Sequence, residues 1–232
     1  MTDRARRLVV LLVLGLVALA VPLVTAGPAS ASVTQPTVDD AVGFWPFDGD
    51  TGTTATDYSG FGDHATLHGP AAFSTTSLPA LDVGNTESLT LPSGGYATAS
   101  VPAPLASTSQ LTIAAWIKVD PASTGDVNII SIDGKANIHF TTQILGSPLF
   151  VTEYVNDPFS VSSGFSFSGG TLGTWHHVVL TIGDNGVTAY RDGQPFNEPW
   201  NSPLEPGTGI TFGDPAGGFS GAIDDVASTT GS

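Results

Sequence analysis

The sequence predicts an all-β protein, a two-sheet antiparallel sandwich, on three observations. From Ala41 onward the chain is a series of short runs rich in Val, Ile, Thr, Phe and Trp, most of four to nine residues. Gly, Pro, Asn and Asp punctuate them, and the 28 glycines and 17 prolines argue against long helices. No window in this part of the chain sustains a 3.6-residue apolar repeat.

The predicted strands are, in order, Val42–Phe47, Ala80–Val83, Ser88–Leu91, Tyr96–Val101, Leu111–Val119, Asn128–Ile132 and Ile138–Ile144. They continue with Leu149–Val155, Trp175–Ile182, Gly186–Arg191, Gly209–Phe212 and Gly218–Val226. In Leu111–Val119 the apolar side chains fall mainly on odd positions, the period of a strand with one buried face. Trp116 breaks that alternation, so cover on both faces is expected there. Trp45, Trp116 and Trp175 are read as core residues. Trp175–Ile182 and Gly186–Arg191 read as a hairpin, with Asn185-Gly186 supplying the positive-φ pair of a type I′ turn. Asp192-Gly193 makes the next reversal. Many antiparallel strands joined by hairpins and longer returns pack best as two sheets.

The N-terminus reads as an export signal over residues 1–31. Arg4, Arg6 and Arg7 precede the apolar run Leu8–Val24, and Ala29-Ser30-Ala31 offers a small-x-small cleavage site, so cleavage is expected after Ala31. The same apolar run nearly spans a bilayer, and its retention as an anchor is the alternative. Residues 32–40 form a polar linker, 41–229 the domain and 230–232 a tail. Without Asp3 and the three leader arginines, 20 acidic residues face only Lys118, Lys135 and Arg191, a net charge of −17. That excludes recognition of nucleic acid or an anionic membrane, which needs cationic side chains. The chain has no cysteine, hence no disulfide, thiolate chemistry or lipid-anchored cysteine. The expected location is extracellular, with no membrane insertion after cleavage.

Five ordered motifs carry a family resemblance over Ala41 to Thr229. Trp45-Pro46-Phe47-Asp48 is followed by Asp57-Tyr58-Ser59-Gly60-Phe61-Gly62-Asp63. Ala115-Trp116 lies mid-chain. Trp175-His176-His177-Val178 opens a hairpin that ends in Tyr190-Arg191-Asp192-Gly193. Phe219-Ser220-Gly221-Ala222-Ile223-Asp224-Asp225-Val226 closes the series. In this order and spacing the chain resembles the laminin G-like, concanavalin A-like lectin/glucanase domains. The resemblance implies a jelly-roll sandwich that binds rather than catalyses. The pattern departs from the family at Asp63, where Asn is usual. It departs again after Val226, where members commonly continue with an arginine-containing strand.

The resemblance also implies a calcium site. Calcium takes six to eight hard oxygens, and Asp57 and Asp63 bracket a glycine-rich loop whose Gly60 carbonyl can turn inward, beside those of Ser59 and Phe61. In similar proteins the acidic residue of the closing strand reaches the same metal, here Asp224. The alternative is an Asx-turn cap at Asp57 and ordinary edge carboxylates at Asp224 and Asp225. His176 and His177 point to opposite faces of a strand and do not chelate one ion together. His64 and His68 lack a helix to align them.

For function, the leading expectation is carbohydrate binding, with Trp200, Tyr154, Asn156 and Phe159 as loop-edge candidates for the ligand. Trp200 is alternatively a loop anchor tucked onto the sandwich. A cell-surface protein partner or an envelope-structural role is the second expectation, and a glycoside hydrolase the third. Catalysis is disfavoured because none of Glu87, Glu153, Glu198 and Glu205 belongs to a paired-carboxylate strand motif. A Gly-x-Ser-x-Gly elbow is also absent.

Overall fold

A computed structural model describes residues 40–76, 79, 85–133, 135–141, 149–156, 159–166, 172–184, 186–198, 204 and 206–231. All lie within one compact unit, Val33–Ser232. The predicted export signal, the predicted strand Ala80–Val83 and Trp200 lie outside the described residues. Among the described residues no helix is long and apolar enough to cross a membrane.

The strands are β1 (Gly43–Trp45), β2 (Thr54–Ala55), β3 (Ala65–His68), β4 (Ala72–Ser74), β5 (Ser88–Leu91) and β6 (Tyr96–Ala99). A short helix α1 (Ala103–Ser107) follows, then β7 (Leu111–Val119), β8 (Asp126–Ile132), β9 (Ala136–Thr141), β10 (Leu149–Asn156) and β11 (Phe159–Ser166). The chain ends with β12 (Trp175–Gly183), β13 (Gly186–Arg191), β14 (Gln194–Glu198), β15 (Ile210–Gly213) and β16 (Gly221–Thr230). They form two eight-stranded antiparallel sheets. The first runs β14-β13-β12-β7-β16-β5-β4, with β1 also on β16; the second runs β11-β10-β9-β8-β15-β6-β3-β2. This is the predicted two-sheet sandwich.

The core lies between the sheets. Leu111, Ile113, Ala115, Ile117 and Val119 of β7 are all buried, as their odd positions require. Facing them, Ile130, Ile132, Ile138, Ile210 and Phe212 of the second sheet are buried too. Trp45 and Phe47 meet Phe212 edge to face, at 5.1 and 6.1 Å between centroids. Trp45 is thus core, as expected. Trp116 and Trp175 are not: by alternation they stand on the outer face of the first sheet, half-buried. There Trp116 packs on His177 at 5.3 Å and Trp175 lies 5.9 Å from Lys118 Nζ.

Two reversals test the turn reading. Asp192 and Gly193 have φ of 51° and 78° between the paired Arg191 and Gln194, a two-residue loop with both φ positive. The earlier hairpin differs from expectation: Gly186 already pairs with Gly183 as the first residue of β13. Asn185-Gly186 is therefore not the central pair of that turn.

Strand β16 changes partners midway. Gly221–Ile223 lie between β5 and β7, and Val226–Ser228 pair with β1. A bulge separates the halves, where Asp225 adopts φ 47°. The strand continues to Thr230, beyond the expected end at Val226.

Candidate functional site

Three polar constellations stand out. The first is the loop between β2 and β3. Asp57, 5% exposed, sits beneath it and gathers five donors. Phe44 N and Ser59 N donate to Oδ1 at 3.0 and 2.9 Å. Ser59 Oγ, Gly62 N and Asp63 N donate to Oδ2 at 2.8, 3.1 and 3.1 Å. Gly60 and Gly62, at φ 91° and 79°, supply the backbone curvature this wrap requires. Trp45 Nε1 donates to the Asp63 carbonyl, and Asp57 N to His64 Nδ1. Burial pushes the Asp57 carboxyl up, but the hydrogen bonds from Phe44, Ser59 and Asp63 outweigh it and hold the group below its ordinary value of 3.8. Asp63 is raised, by burial and then by the neighbouring Asp57 charge, with His64 opposing.

A carboxylate has about four lone-pair sites, and five protein donors fill those of Asp57. Asp57 is thus the cap of an Asx-turn, and its carboxylate is engaged by protein donors. Among the described residues no three His, Asp or Glu side chains converge on one metal position.

The second constellation surrounds Asp224, which is fully buried. Asp224 lies opposite Trp116, itself opposite His177, across the first sheet. Asn85 Nδ2 donates to its Oδ2 at 2.7 Å and Asp225 N to its Oδ1 at 3.0 Å. Nearby, Asp48 Oδ1 accepts from Thr86 N, Thr86 Oγ1 and Glu87 N at 2.6, 2.9 and 3.0 Å. Burial drives the Asp224 carboxyl up to about 8, with the Asp225 and Asp48 charges adding to it against the Asn85 hydrogen bond. Asp225 rises to about 6, through burial and the Asp48 charge. Asn85 Oδ1 and Trp116 Nε1 are buried without a hydrogen-bond partner. The backbone is strained at the same place, since Phe47, next to Asp48, and Asp225 have φ of 63° and 47°.

The third constellation exists only through strand register. Thr54 faces Thr66, which faces Thr98, then Thr211, Ser131, Asn137, Glu153 and Ser162, one residue from each strand of the second sheet. Directly opposed residues share a face. From Thr54 to Asn137 this row alternates with the buried Leu67, Ala97, Phe212, Ile130 and Ile138, so that part lies on the outer face. Ser131 Oγ is 2.7 Å from Asn137 Oδ1 and 2.9 Å from Asp133 Oδ1. One position along, His139 Nδ1 donates to Asn128 Oδ1 at 2.9 Å. His68 stacks on Tyr96 at 4.7 Å and bonds Thr98 Oγ1. A cleft of about 280 Å³ opens over this network, lined by Asn128, Ser131, Asp133, Thr211 and Asp214 among others.

Of the ligand candidates from sequence, Tyr154 pairs with Ala136 in the strand register. Asn156 and Phe159 oppose each other as the last pair of β10 and β11. His176, set aside as a ligand, bonds Asp192 Oδ2 at 2.7 Å. Burial lowers His177, against the Asp192 charge. The alternation of Asn137 and His139 with Ile138 was the available signal for the polar face.

A comparison with curated proteins found no match. Solved structures do match in shape. The binding domain of botulinum neurotoxin DC, solved with SialylT, superposes with a TM-score of 0.64 at 16% identity, over 83% of this chain and 48% of that one. This chain thus spans about half the length of the toxin domains it matches. Domain 4 of AbnA, an extracellular arabinanase of Geobacillus stearothermophilus, solved with arabinotriose, gives 0.58 at 17% identity, over 83% and 93%. Trypanosoma rangeli sialidase gives 0.54 at 18%, over 81% and 30%. At such identities the likeness establishes the fold, a jelly-roll β-sandwich. The family model matches residues 92–229, from the end of β5 to the last strand. On that match, the chain belongs to the concanavalin A-like lectin/glucanases superfamily.

Proposed function

We propose that this protein is a secreted, non-catalytic carbohydrate-binding module that lays glycan against the outer face of its second sheet. The observation that carries the reading is the polar row Thr66–Thr98–Thr211–Ser131–Asn137, with the cleft over it. Sugar hydroxyls need donors and acceptors held at fixed positions. Ser131, Asn137 and His139 are such groups, each mostly buried and tied to a neighbour. Two structural neighbours were solved with saccharide ligands, which supports the reading by analogy of fold.

Catalysis is disfavoured by the same face. Glu153 pairs in register with Asn137 and Ser162, neither a carboxylate, whereas glycoside hydrolysis uses two. Asp214 is engaged as a loop cap, accepting from Ala216 N at 3.0 Å and Gly218 N at 2.7 Å. Export follows from the N-terminal signal read in the sequence.

The reading includes a calcium ion at the Asp224 cluster. The orphaned Asn85 Oδ1 fits a cation, as do the raised carboxyls of Asp224 and Asp225. Asp224, Asp225 and Asn85 would hold the ion, Asp48 would add charge, and backbone carbonyls and water would complete the shell. Bound there, calcium supplies charge neutralisation and rigidity where β16 bulges.

The test is binding of the purified protein to a panel of soluble and insoluble polysaccharides, with calcium and with chelator. Ser131→Ala/Asn137→Ala is expected to weaken binding about tenfold or more, the scale of one or two lost hydrogen bonds, with the fold retained in circular dichroism. Release of reducing ends would overturn the non-catalytic reading. Absence of binding to every glycan would move the function to a protein partner.

A further inference from the structure

Among the described residues the large hydrophobics left exposed are Tyr58 and Phe61, each 49% exposed, three positions apart on one loop. This loop is not loosely held. The Asp57 carboxylate binds the backbone at Ser59, Gly62 and Asp63, and Tyr58 N donates to the Phe44 carbonyl at 2.8 Å. Two aromatic rings are thus kept in water on a fixed frame. A frame of this kind removes the ordering cost that a mobile loop would meet on binding.

Charge decides what such rings take. The chain carries a net charge of −15, Asp57 and Asp63 lie within the loop, and Asp50 is bonded to Thr56 at its start. Anionic lipid headgroups, sialic acids, uronates and phosphorylated glycans are repelled there. An uncharged ring with an apolar C–H face and polar edges is not. The ring faces supply the apolar contact, and Asp63, two positions after Phe61, is a hydroxyl acceptor on the same loop.

We propose that Tyr58 and Phe61 form a stacking clamp for a neutral saccharide unit. The proposal rests on the carbohydrate-binding reading and goes beyond it in naming a second contact point, at the β2–β3 edge of the sheet, and a ligand class. The clamp lies on the loop that leaves Ala55 and returns at Ala65, the pair beside Thr54–Thr66 at the end of the polar row.

The experiment is a titration of the whole protein with arabinotriose, xylotriose, cellotriose and mannotriose, with sialyllactose as the charged comparison. Tyr58→Ala, Phe61→Ala, the double variant and the conservative Tyr58→Trp are measured alongside. At least one neutral trisaccharide is expected to bind, with affinity indifferent to salt. The double variant is expected to lose about tenfold or more, with Tyr58→Trp retaining binding and the melting temperature within a few degrees. Equal binding by the double variant would overturn the clamp and leave the carbohydrate reading standing. Binding of sialyllactose alone would overturn the neutral-ligand class. Binding of none of the sugars, here or on the polysaccharide panel, would overturn both.

Discussion

Asp57→Ala is expected to destabilise this protein by about 4 kcal/mol, a large fraction of what a single domain has. The substitution strands five donors: Phe44 N, Ser59 N, Ser59 Oγ, Gly62 N and Asp63 N. Hydrogen bonds to a charged group contribute about 1.5–3 kcal/mol each, and some donors will recover water, so the sum is well below five times that. Phe44 lies on β1 of the first sheet while the loop joins β2 and β3 of the second, so the loss also loosens a tie between the sheets. Asp57→Asn should cost about half as much, because one amide oxygen keeps part of the set while the NH₂ faces N–H donors. Urea unfolding measures both. A loss under about 1 kcal/mol for the alanine variant would show that the loop does not depend on this carboxylate. The defect should persist in chelator, since the carboxylate serves protein donors.

Acid gives the same test by another route. The folded carboxyl of Asp57 lies below its ordinary 3.8. Its contribution is therefore present above that value and lost as pH falls through the folded pKa. The acid limb of the wild-type stability curve should flatten in Asp57→Ala.

Much of the fold was legible because it rests on local pattern. Ser88–Leu91, Leu111–Val119 and Gly186–Arg191 match their strands to the residue. Each combines alternation or β-branched residues with flanking turn formers. The strands the sequence hid lack those signs. β2 and β3 hold two and four residues, three of the six being Thr and Leu on either side of alanines. β11 reads Phe-Ser-Val-Ser-Ser-Gly-Phe-Ser, a loop-like composition, and β14 carries Pro195, tolerated because that strand is at the sheet edge. The five-residue helix α1 is too short to show a period.

The site was legible only in parts. Asp57 and Asp224 were both singled out; in the structure Asp57 caps a loop, and Asp224 is buried and accepts from Asn85. Their assignment to one ion came from the resemblance; the five protein donors on Asp57, which only coordinates reveal, make it the cap of its loop. Asp48 and Asn85 escaped because their partners are 38 and 139 positions away. The polar row is less visible still, since eight strands each contribute one residue and only pairing aligns them. Trp116 was misread for a simpler reason. Its apolar bulk suggested the core, while the odd-position alternation already placed it outside.

The second large effect is a fall in stability as pH rises, without calcium. The folded carboxyls of Asp224 and Asp225 lie at about 8 and about 6, above the ordinary 3.8 of an unfolded chain. The folded state therefore binds more protons between these values, and the stabilisation is fully present below 3.8 and lost as pH climbs through 6 and then 8. One pKa unit is about 1.4 kcal/mol. The Asp224 shift already contains the Asp225 charge, so the two shifts do not simply add, and a fall of about 4 kcal/mol between pH 4 and pH 9 is expected in chelator. Asp57 does not mask it, because its own contribution is complete by the acid end of this range. Calcium needs the ionised carboxylates, so its binding should expel protons and its stabilisation should grow with pH, restoring most of the loss at pH 8. Asp225→Asn separates the causes. Asparagine accepts the positive φ of that bulge, so the variant should fold, show a shallower pH slope and gain less from calcium. A flat profile from pH 5 to 9 in chelator would remove the basis for a strained acidic cluster altogether. A sloping profile untouched by calcium would sink the metal site and leave a buried acid pair. Its only consequence would then be that the module is more stable in acidic surroundings than in neutral ones.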